Sequence, residues 1–309
     1  MERFDIIVIG AGPAGMTSAL NCLRAGKSVL VLESENFGGQ IAFSPRVENF
    51  PTYQKISGAE LMDKLYEQIT EWGARVELEC VQKIEKNQDC FIVTTDYGKY
   101  ESYSVILATG VKPRHIGVER EEELIGNGVS YCALCDGAFY SGEDVAVIGD
   151  ANTAIQYAIL LSGYCKHVHV CALFGRLFAD KALIDILNSR ENVSVRYHLS
   201  LKEFIADEEL KGLRFEDTET HAQVNINCKC AFVCIGQLPN NKAFADIVEL
   251  DKTGYIIADE TCATSCEGIF AAGDCRTKHI RQLVTASSDG AVAAFNACKY
   301  VDTLRALRG

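Results

Sequence analysis

The most distinctive chemistry in this sequence lies in Cys132-Ala133-Leu134-Cys135-Asp136. Two cysteines separated by two residues can close a small disulfide and open it again, and in an intracellular protein that spacing reads as a redox couple. The carboxyl directly after the second cysteine is placed to protonate a departing thiolate. Half a zinc site is the competing reading, but the sequence holds no second C-x-x-C pair to complete it.

A nucleotide-binding pattern lies on each side of this couple, one complete and one broken. Asp5 to Ile9 is an apolar, β-branched run ending in Gly10-Ala11-Gly12-Pro13-Ala14-Gly15. A helical pattern follows through Ala25, and Ser28 to Leu32 reads as a second strand closed by Glu33. Gly10 permits the tight turn, Gly12 lets the backbone approach a pyrophosphate, and Gly15 lets the helix pack closely on the strand. Pro13 and Ala14 open that helix, whose N-terminus offers amides and a positive dipole end to phosphates. Glu33 stands where a carboxylate accepts hydrogen bonds from an adenosine ribose.

Other segments repeat the theme of strand, then glycine. Gly38-Gly39-Gln40 would let the backbone run against a flat ring system. Val105 to Leu107 reads as a buried strand ending in Ala108-Thr109-Gly110. Near the C-terminus, Gly268 to Gly273 repeats that design and places Asp274 where a carboxylate would hold a ribitol; Arg281-Gln282-Leu283 then opens a small-residue helix. Together with the first motif these suggest FAD, bound by both ends of the chain in one discontinuous domain.

From Asp144 the chain repeats its own opening. Asp5 to Gly10 aligns without a gap on Asp144 to Gly149, and Val29 to Leu32 aligns on Val168 to Cys171. The second phosphate turn, however, reads Gly149-Asp150-Ala151-Asn152-Thr153-Ala154. Ala151 replaces the glycine of close approach, and Asp150 sets a negative charge beside the expected pyrophosphate. At ~4 Å and an effective dielectric of ~20 such a pair costs about 4 kcal/mol before solvent reduces it. The position matching Glu33 is Ala172, followed by Leu173, Phe174 and Gly175. A NADP site wants arginine there and a NAD site wants a carboxylate. Losing two charge-assisted hydrogen bonds weakens binding by roughly 10²–10⁴-fold. Arg176 and Lys181 are near enough in sequence to compensate from another direction.

With 309 residues, 48% hydrophobic and 23% charged, the chain has the size and composition of a two-domain globular protein. Its formal charge of −12 argues against nucleic acid or an anionic membrane as partner. No apolar run approaches a membrane span. The first strand pattern starts near Phe4, leaving no room for a signal peptide. Fourteen cysteines without such a signal point to the reducing cytoplasm. The acidic run Glu119-Arg120-Glu121-Glu122-Glu123 reads as a solvated surface segment. Hinges are expected near residues 111–117 and after the Gly236 to Asn241 segment. Cys228, Cys230 and Cys234 share one strand parity and should be buried on one sheet face. Cys262 and Cys266, four apart, admit a second dithiol or half a metal site. The histidines form no constellation, and Trp72 reads as packing.

Ser130-Tyr131-Cys132-Ala133-Leu134-Cys135-Asp136-Gly137-Ala138-Phe139 closely resembles the active-site segment of low-molecular-weight thioredoxin reductases. The likeness extends through the opening glycine motif, Gly39-Gln40, Glu48-Asn49-Phe50-Pro51, Thr109-Gly110, Gly236 to Asn240, Gly273-Asp274 and Arg281-Gln282. It implies an α/β fold of two Rossmann-like, doubly wound nucleotide-binding domains, the second inserted into the first. Residues 1–114 and 242–309 would form the FAD-binding domain, with Asn49 among its contacts, and residues 115–241 the redox domain. It further implies a homodimer with one FAD and one redox disulfide per subunit. Cys135 would face the flavin, Cys132 would attack the thioredoxin disulfide, and Asp136 would be the acid-base group. The inserted domain would rotate between two working arrangements.

The departure from the family falls in the inner repeat. NADPH-dependent members carry a glycine-rich turn and a His-Arg-Arg stretch with a further arginine downstream, whereas Ala172, Leu173, Phe174 and Phe178 are uncharged. The best match is therefore the nicotinamide-independent branch, the ferredoxin-dependent flavin thioredoxin reductases of clostridial type. A ferredoxin near about −400 mV and a thioredoxin near about −270 mV make that transfer downhill by roughly 6 kcal/mol. The alternatives are NADPH-dependent reduction through Arg176 or Lys181, a flavin dithiol oxidase, and a flavin-bound redox sensor without turnover.

Overall fold

The computed structural model describes residues 1–44 and 47–308. The apolar run at the start is strand β1 (Glu2–Ile9), followed by helix α1 (Pro13–Arg24), β2 (Val29–Glu33) and helix α2 (Gly58–Glu71). Next come β3 (Arg75–Leu78), β4 (Val81–Asn87), β5 (Cys90–Thr95), β6 (Lys99–Leu107) and β7 (Val111–Pro113). Then β8 (Val129–Ser130) leads into the one-turn helix α3 (Ala133–Asp136), β9 (Asp144–Ile148), α4 (Asn152–Leu161) and β10 (His167–Cys171). After α5 (Lys181–Asn188) the chain is mostly strand: β11 (Val193–Arg196), β12 (Leu199–Ala206), β13 (Leu210–Asp217), β14 (Gln223–Asn227), β15 (Cys230–Val233) and β16 (Gln237–Pro239). It closes with β17 (Ile269–Ala271) and the long helix α6 (Leu283–Arg308).

These elements form two compact units, one of residues 1–112 and 238–309 and one of residues 113–237. The chain crosses at β7 and β16, which pair as a two-stranded sheet. In the first unit the strand order is β3-β2-β1-β6, with β17 pairing β6 in parallel and β5 and β4 continuing antiparallel. The second unit carries the parallel order β11-β10-β9-β15-β8 beside an antiparallel β12-β13-β14 sheet. Both parallel sheets thus run 3-2-1 and then switch direction, the doubly wound order whose ligands bind at the carboxyl ends of the strands. Ile6, Ile7 and Val8 are fully buried, and so are Val145, Ala146 and Val147. Such unbroken apolar runs belong to strands covered on both faces.

Several local expectations need correction. Glu121 is not solvated: it is 3% exposed, and its carboxylate accepts the Ile116 and Gly117 amides at 3.0 and 2.8 Å. Its neighbours in the run remain outside, so charge density alone misled. Trp72 is 52% exposed; α2 ends there and Gly73 turns the chain at φ +91°, beyond the helix's buried face. Cys230 and Cys234 pack with Phe232, but Cys228 packs on the opposite side with Ala231 and Val233. It precedes β15, so strand parity does not govern it. Cys262 and Cys266 belong to different core clusters, and no metal-binding group occurs among the described residues.

Candidate redox and cofactor sites

In the second unit, β8 delivers the chain to Cys132, which caps α3 and forms a disulfide with Cys135 across a Cα separation of 5.3 Å. The Cys135 amide donates to Cys132 Sγ at 3.2 Å. Leu134, in the middle of the turn, is 51% exposed. Asp136 ends the same turn. Its Oδ2 accepts the Ser130 hydroxyl at 2.6 Å, while Oδ1 is buried with no hydrogen-bond partner. Burial therefore raises the Asp136 pKa, and the Ser130 bond opposes it only in part. A carboxyl beside a disulfide whose proton is held more tightly than usual is placed to serve as a general acid.

Tyr131, directly before Cys132, donates to the buried Glu121 at 2.8 Å and lies 3.0 Å from His115 Nδ1. Burial first, and the Glu121 hydrogen bond second, push the phenol's pKa far up. Sequence reading missed both Ser130 and Glu121. Neither has a spacing that marks it; each is recognised only by what its side chain touches.

The second phosphate turn is built like the first. Gly12 and Ala151 cap α1 and α4 with the same extended backbone, φ −83° and −104°. Glycine at this position is therefore not a backbone requirement. A Cβ at Gly12 would meet only Gly39 Cα, at 3.8 Å, so the protein itself leaves room for one. The space at Gly12 suits a ligand that must come close, and Ala151 fills the equivalent space. Around that turn the Phe178 amide donates to the Asp150 carbonyl at 2.7 Å. Phe174 and Phe178 pack edge to face at 5.5 Å, with Arg176 stacked 4.7 Å over the Phe178 ring. Leu173, Phe174 and Phe178 are 46%, 52% and 48% exposed. The cation that sequence reading passed over here is Arg196, opposite Cys171 on β11.

In the first unit the predicted cofactor residues gather at the carboxyl ends of β1, β2, β6 and β17. Gly10 adopts φ +108°, and a Cβ there would strike the Ala108 carbonyl. At Gly15 a Cβ would fall on the Gly10 carbonyl oxygen. Both glycines are needed for packing alone. Glu33 turns back on the motif: it accepts the Ala11 amide at 2.8 Å and the Ser34 and Glu35 amides at 2.8 and 3.0 Å. Gly39 packs its Cα against Gly12, with Gln40 exposed beside it. Asn49 donates to Gln282 at 3.3 Å. Thr109 donates to Asn241 at 2.7 Å, and Gly110 has φ +62°.

Gly273, at φ +81°, packs against Ala14, bringing the two ends of the chain together. Asp274 follows with a buried, unpartnered Oδ1, and burial pushes its pKa up to about 6. Arg281 lies 4.2 Å over the Tyr255 ring and donates to the Asp274 carbonyl at 3.4 Å; Leu283 starts α6. An orphaned carboxylate oxygen and a cleared glycine face are what a pyrophosphate-linked, polyhydroxylated cofactor such as FAD requires. These residues fit it.

Residues 4–290 match the family described as pyridine nucleotide-disulphide oxidoreductase. The chain is 39% identical over 301 residues to a 34.2 kDa protein in the rubredoxin operon of Clostridium pasteurianum, covering 97% of this chain and 98% of that one. It is 38% identical to the thioredoxin reductase of Treponema pallidum, with 98% of each covered. Among solved structures, the thioredoxin reductase of Streptococcus pyogenes superposes with a TM-score of 0.94 at 36% identity, covering 97% of this chain and 99% of that one.

Proposed function

This chain belongs to the pyridine nucleotide-disulphide oxidoreductase family, and we propose that within it the chain is a thioredoxin reductase whose electrons come from reduced ferredoxin. Its cofactor is FAD, as in the thioredoxin reductases of the family. The observation that carries the donor assignment is the contrast within the second unit. An acid-flanked disulfide stands intact, while the nucleotide turn holds Ala151 and the strand end presents Leu173, Phe174 and Phe178. The relative from a rubredoxin operon adds support, because its neighbourhood is that of an iron–sulfur electron carrier. Arg176 and Arg196 favour the second reading, NADPH-dependent thioredoxin reduction through a displaced phosphate site.

FAD would be held by Gly10, Gly12, Pro13, Ala14, Gly15, Glu33, Gly39, Gln40, Asn49, Thr109, Gly110, Gly273, Asp274, Arg281, Gln282 and Leu283. When bound, it supplies the two-electron chemistry that opens the Cys132–Cys135 disulfide. Asp136 protonates the thiolate that departs in that opening. Cys132 then attacks the thioredoxin disulfide, forming one S–S bond as another breaks. Cys135 attacks the resulting mixed disulfide, releasing thioredoxin as a dithiol and restoring the starting bond. The exposed Leu134 supports an exchange at the surface.

The protein works as a homodimer in the cytoplasm on this reading. Phe295 on α6, 72% exposed in the single chain, supports the first part. Twelve cysteines outside any disulfide, against one disulfide among the described residues, support the second. No described helix is long and apolar enough to cross a membrane. The deciding experiment is anaerobic stopped-flow reduction of the flavin by reduced ferredoxin, NADPH and NADH side by side. Fast bleaching by ferredoxin alone is expected. Fast bleaching by NADPH at physiological concentration, with none by ferredoxin, would overturn the donor assignment.

A further inference from the structure

Asp136 is a carboxyl with two unlike oxygens. Oδ2 lies 2.6 Å from the Ser130 hydroxyl, and Oδ1 is buried without a partner. Ser130 is itself 4% exposed, fixed in β8, which pairs with β15. A serine hydroxyl has one proton to donate and lone pairs that accept. Its acceptor side is taken by the Cys132 amide at 3.1 Å. Two oxygens compete for its proton: the Cys132 carbonyl at 3.5 Å and Asp136 Oδ2 at 2.6 Å. The shorter contact wins, because a bond near 2.6 Å has the length of a strong hydroxyl–carboxyl hydrogen bond while 3.5 Å is at the limit of any bond.

We propose that Ser130 is a positioning residue of the redox turn: it donates to Asp136 Oδ2, confines the acid's proton to Oδ1, and through the Cys132 amide ties that proton to the attacking cysteine. The proposal rests on Asp136 being the acid of the reaction. The same hydroxyl touches both partners of the step, so a shift of the cysteine backbone and a shift of the carboxyl are coupled through one atom. The two electrons that open the Cys132–Cys135 bond would come from the reduced flavin, and one pair stays on the departing sulfur. The proton on Oδ1 moves to that sulfur and leaves Asp136 as a carboxylate that keeps the Ser130 hydrogen bond.

The pH dependence follows in sign. Asp136 acts in its protonated form, so opening of the disulfide slows as pH rises through its pKa. The Ser130 hydrogen bond stabilises the carboxylate and lowers that pKa. Its loss moves the alkaline limb upward. The titratable groups facing Asp136 are Tyr140 after α3, Tyr157 on α4 and Cys230 on β15, all pushed up by burial. They stay neutral through the limb.

Two readouts on the FAD-loaded enzyme test this. The first is the rate at which the Cys132–Cys135 disulfide opens when the flavin has been reduced, read as the return of flavin absorbance from acid to alkaline pH. Ser130→Ala is expected to move the alkaline limb up by about one unit, a tenfold change in the acid's equilibrium, and to slow opening of the disulfide at pH 7 about tenfold. Ser130→Thr, which keeps the hydroxyl, is expected to restore the limb. The second readout needs no electron transfer: the infrared carbonyl band of Asp136 in the oxidised enzyme, recorded at a pH acid enough to protonate the carboxyl and identified by its absence from Asp136→Asn. That band is expected to move to higher wavenumber in Ser130→Ala and to return in Ser130→Thr. An unmoved band in Ser130→Ala, with turnover of the parent enzyme intact, overturns the proposal. A parent enzyme that reduces no thioredoxin, with the band still shifting, leaves the hydrogen bond in place and sinks the functional reading instead.

Discussion

Cys132 and Cys135 differ in their surroundings although they share one turn. Cys132 caps α3 and receives the Cys135 amide on its sulfur, which steadies it as a thiolate once the disulfide opens. If Cys132 attacks and Cys135 resolves, Cys135→Ser should trap a covalent adduct with thioredoxin. Non-reducing gel electrophoresis and intact mass should show one thioredoxin per chain, and the Cys132→Ser counterpart should show none. Recovery of only free proteins from Cys135→Ser would reverse the roles. Asp274 offers a second test at this scale. It is a carboxyl whose folded pKa, about 6, lies above its ordinary 3.8 because it is buried. An acid raised on folding stabilises the fold when protonated, fully below pH 3.8, and that contribution is lost as pH rises through 6. At about 1.4 kcal/mol per unit the span is worth about 3 kcal/mol at most. Asp274→Asn should therefore raise the melting temperature of the FAD-free protein at pH 7.5 and leave it unchanged near pH 4. Equal effects at the two pH values would mean that the buried carboxylate is not the source.

At the scale of elements, α6 does more than pack on α1. Its Asp289 reaches back to the Gly273 turn, accepting the Gly273 amide at 3.0 Å, Arg276 at 2.8 and 2.9 Å, and Lys278 at 2.8 Å. Burial would raise its pKa, but the Arg276 and Lys278 hydrogen bonds outweigh that and hold it low. Its stabilisation is present above the ordinary carboxylate range and lost as pH falls through the depressed folded value. Arg276 is only 4% exposed, so Asp289→Ala strands a buried guanidinium, a loss of about 3–5 kcal/mol. Urea unfolding near neutral pH should report it, together with weaker retention of FAD; a loss under 1 kcal/mol would remove the clamp from the account.

Nothing in the sequence flagged Asp289. The first nucleotide motif was legible because its glycines, strand and acid lie within one local unit, each with its own steric reason. The Cys132–Asp136 turn was legible for the same reason. Asp289, Glu121 and Ser130 act across space on atoms that no spacing rule connects, and Glu121 was misread because its neighbours are charged. Cys228 escaped its parity because the strand starts two residues after it.

For the whole molecule, the internal repeat is the informative comparison, since one backbone design has been kept with two chemistries. Gly12 and Ala151 share a backbone conformation, so what separates the two turns is side-chain space and charge. If missing cations and a filled turn are what exclude NADPH, restoring them should admit it. A variant carrying Ala151→Gly, Leu173→Arg and Phe174→Arg removes one Cβ from the turn and adds two guanidinium groups at exposed positions. Two charge-assisted hydrogen bonds to a 2′-phosphate are worth roughly 3–6 kcal/mol in all, equivalent to about 10²–10⁴ in affinity. Titration calorimetry with NADPH should show tightening within that range, while the response to NADH, which has no 2′-phosphate, changes little. Equal gains for both nucleotides would make Ala151 the barrier. No gain for either would place the exclusion at Asp150, whose carboxylate the variant leaves beside the phosphates, and Asp150→Gly on the same background would then have to supply the affinity.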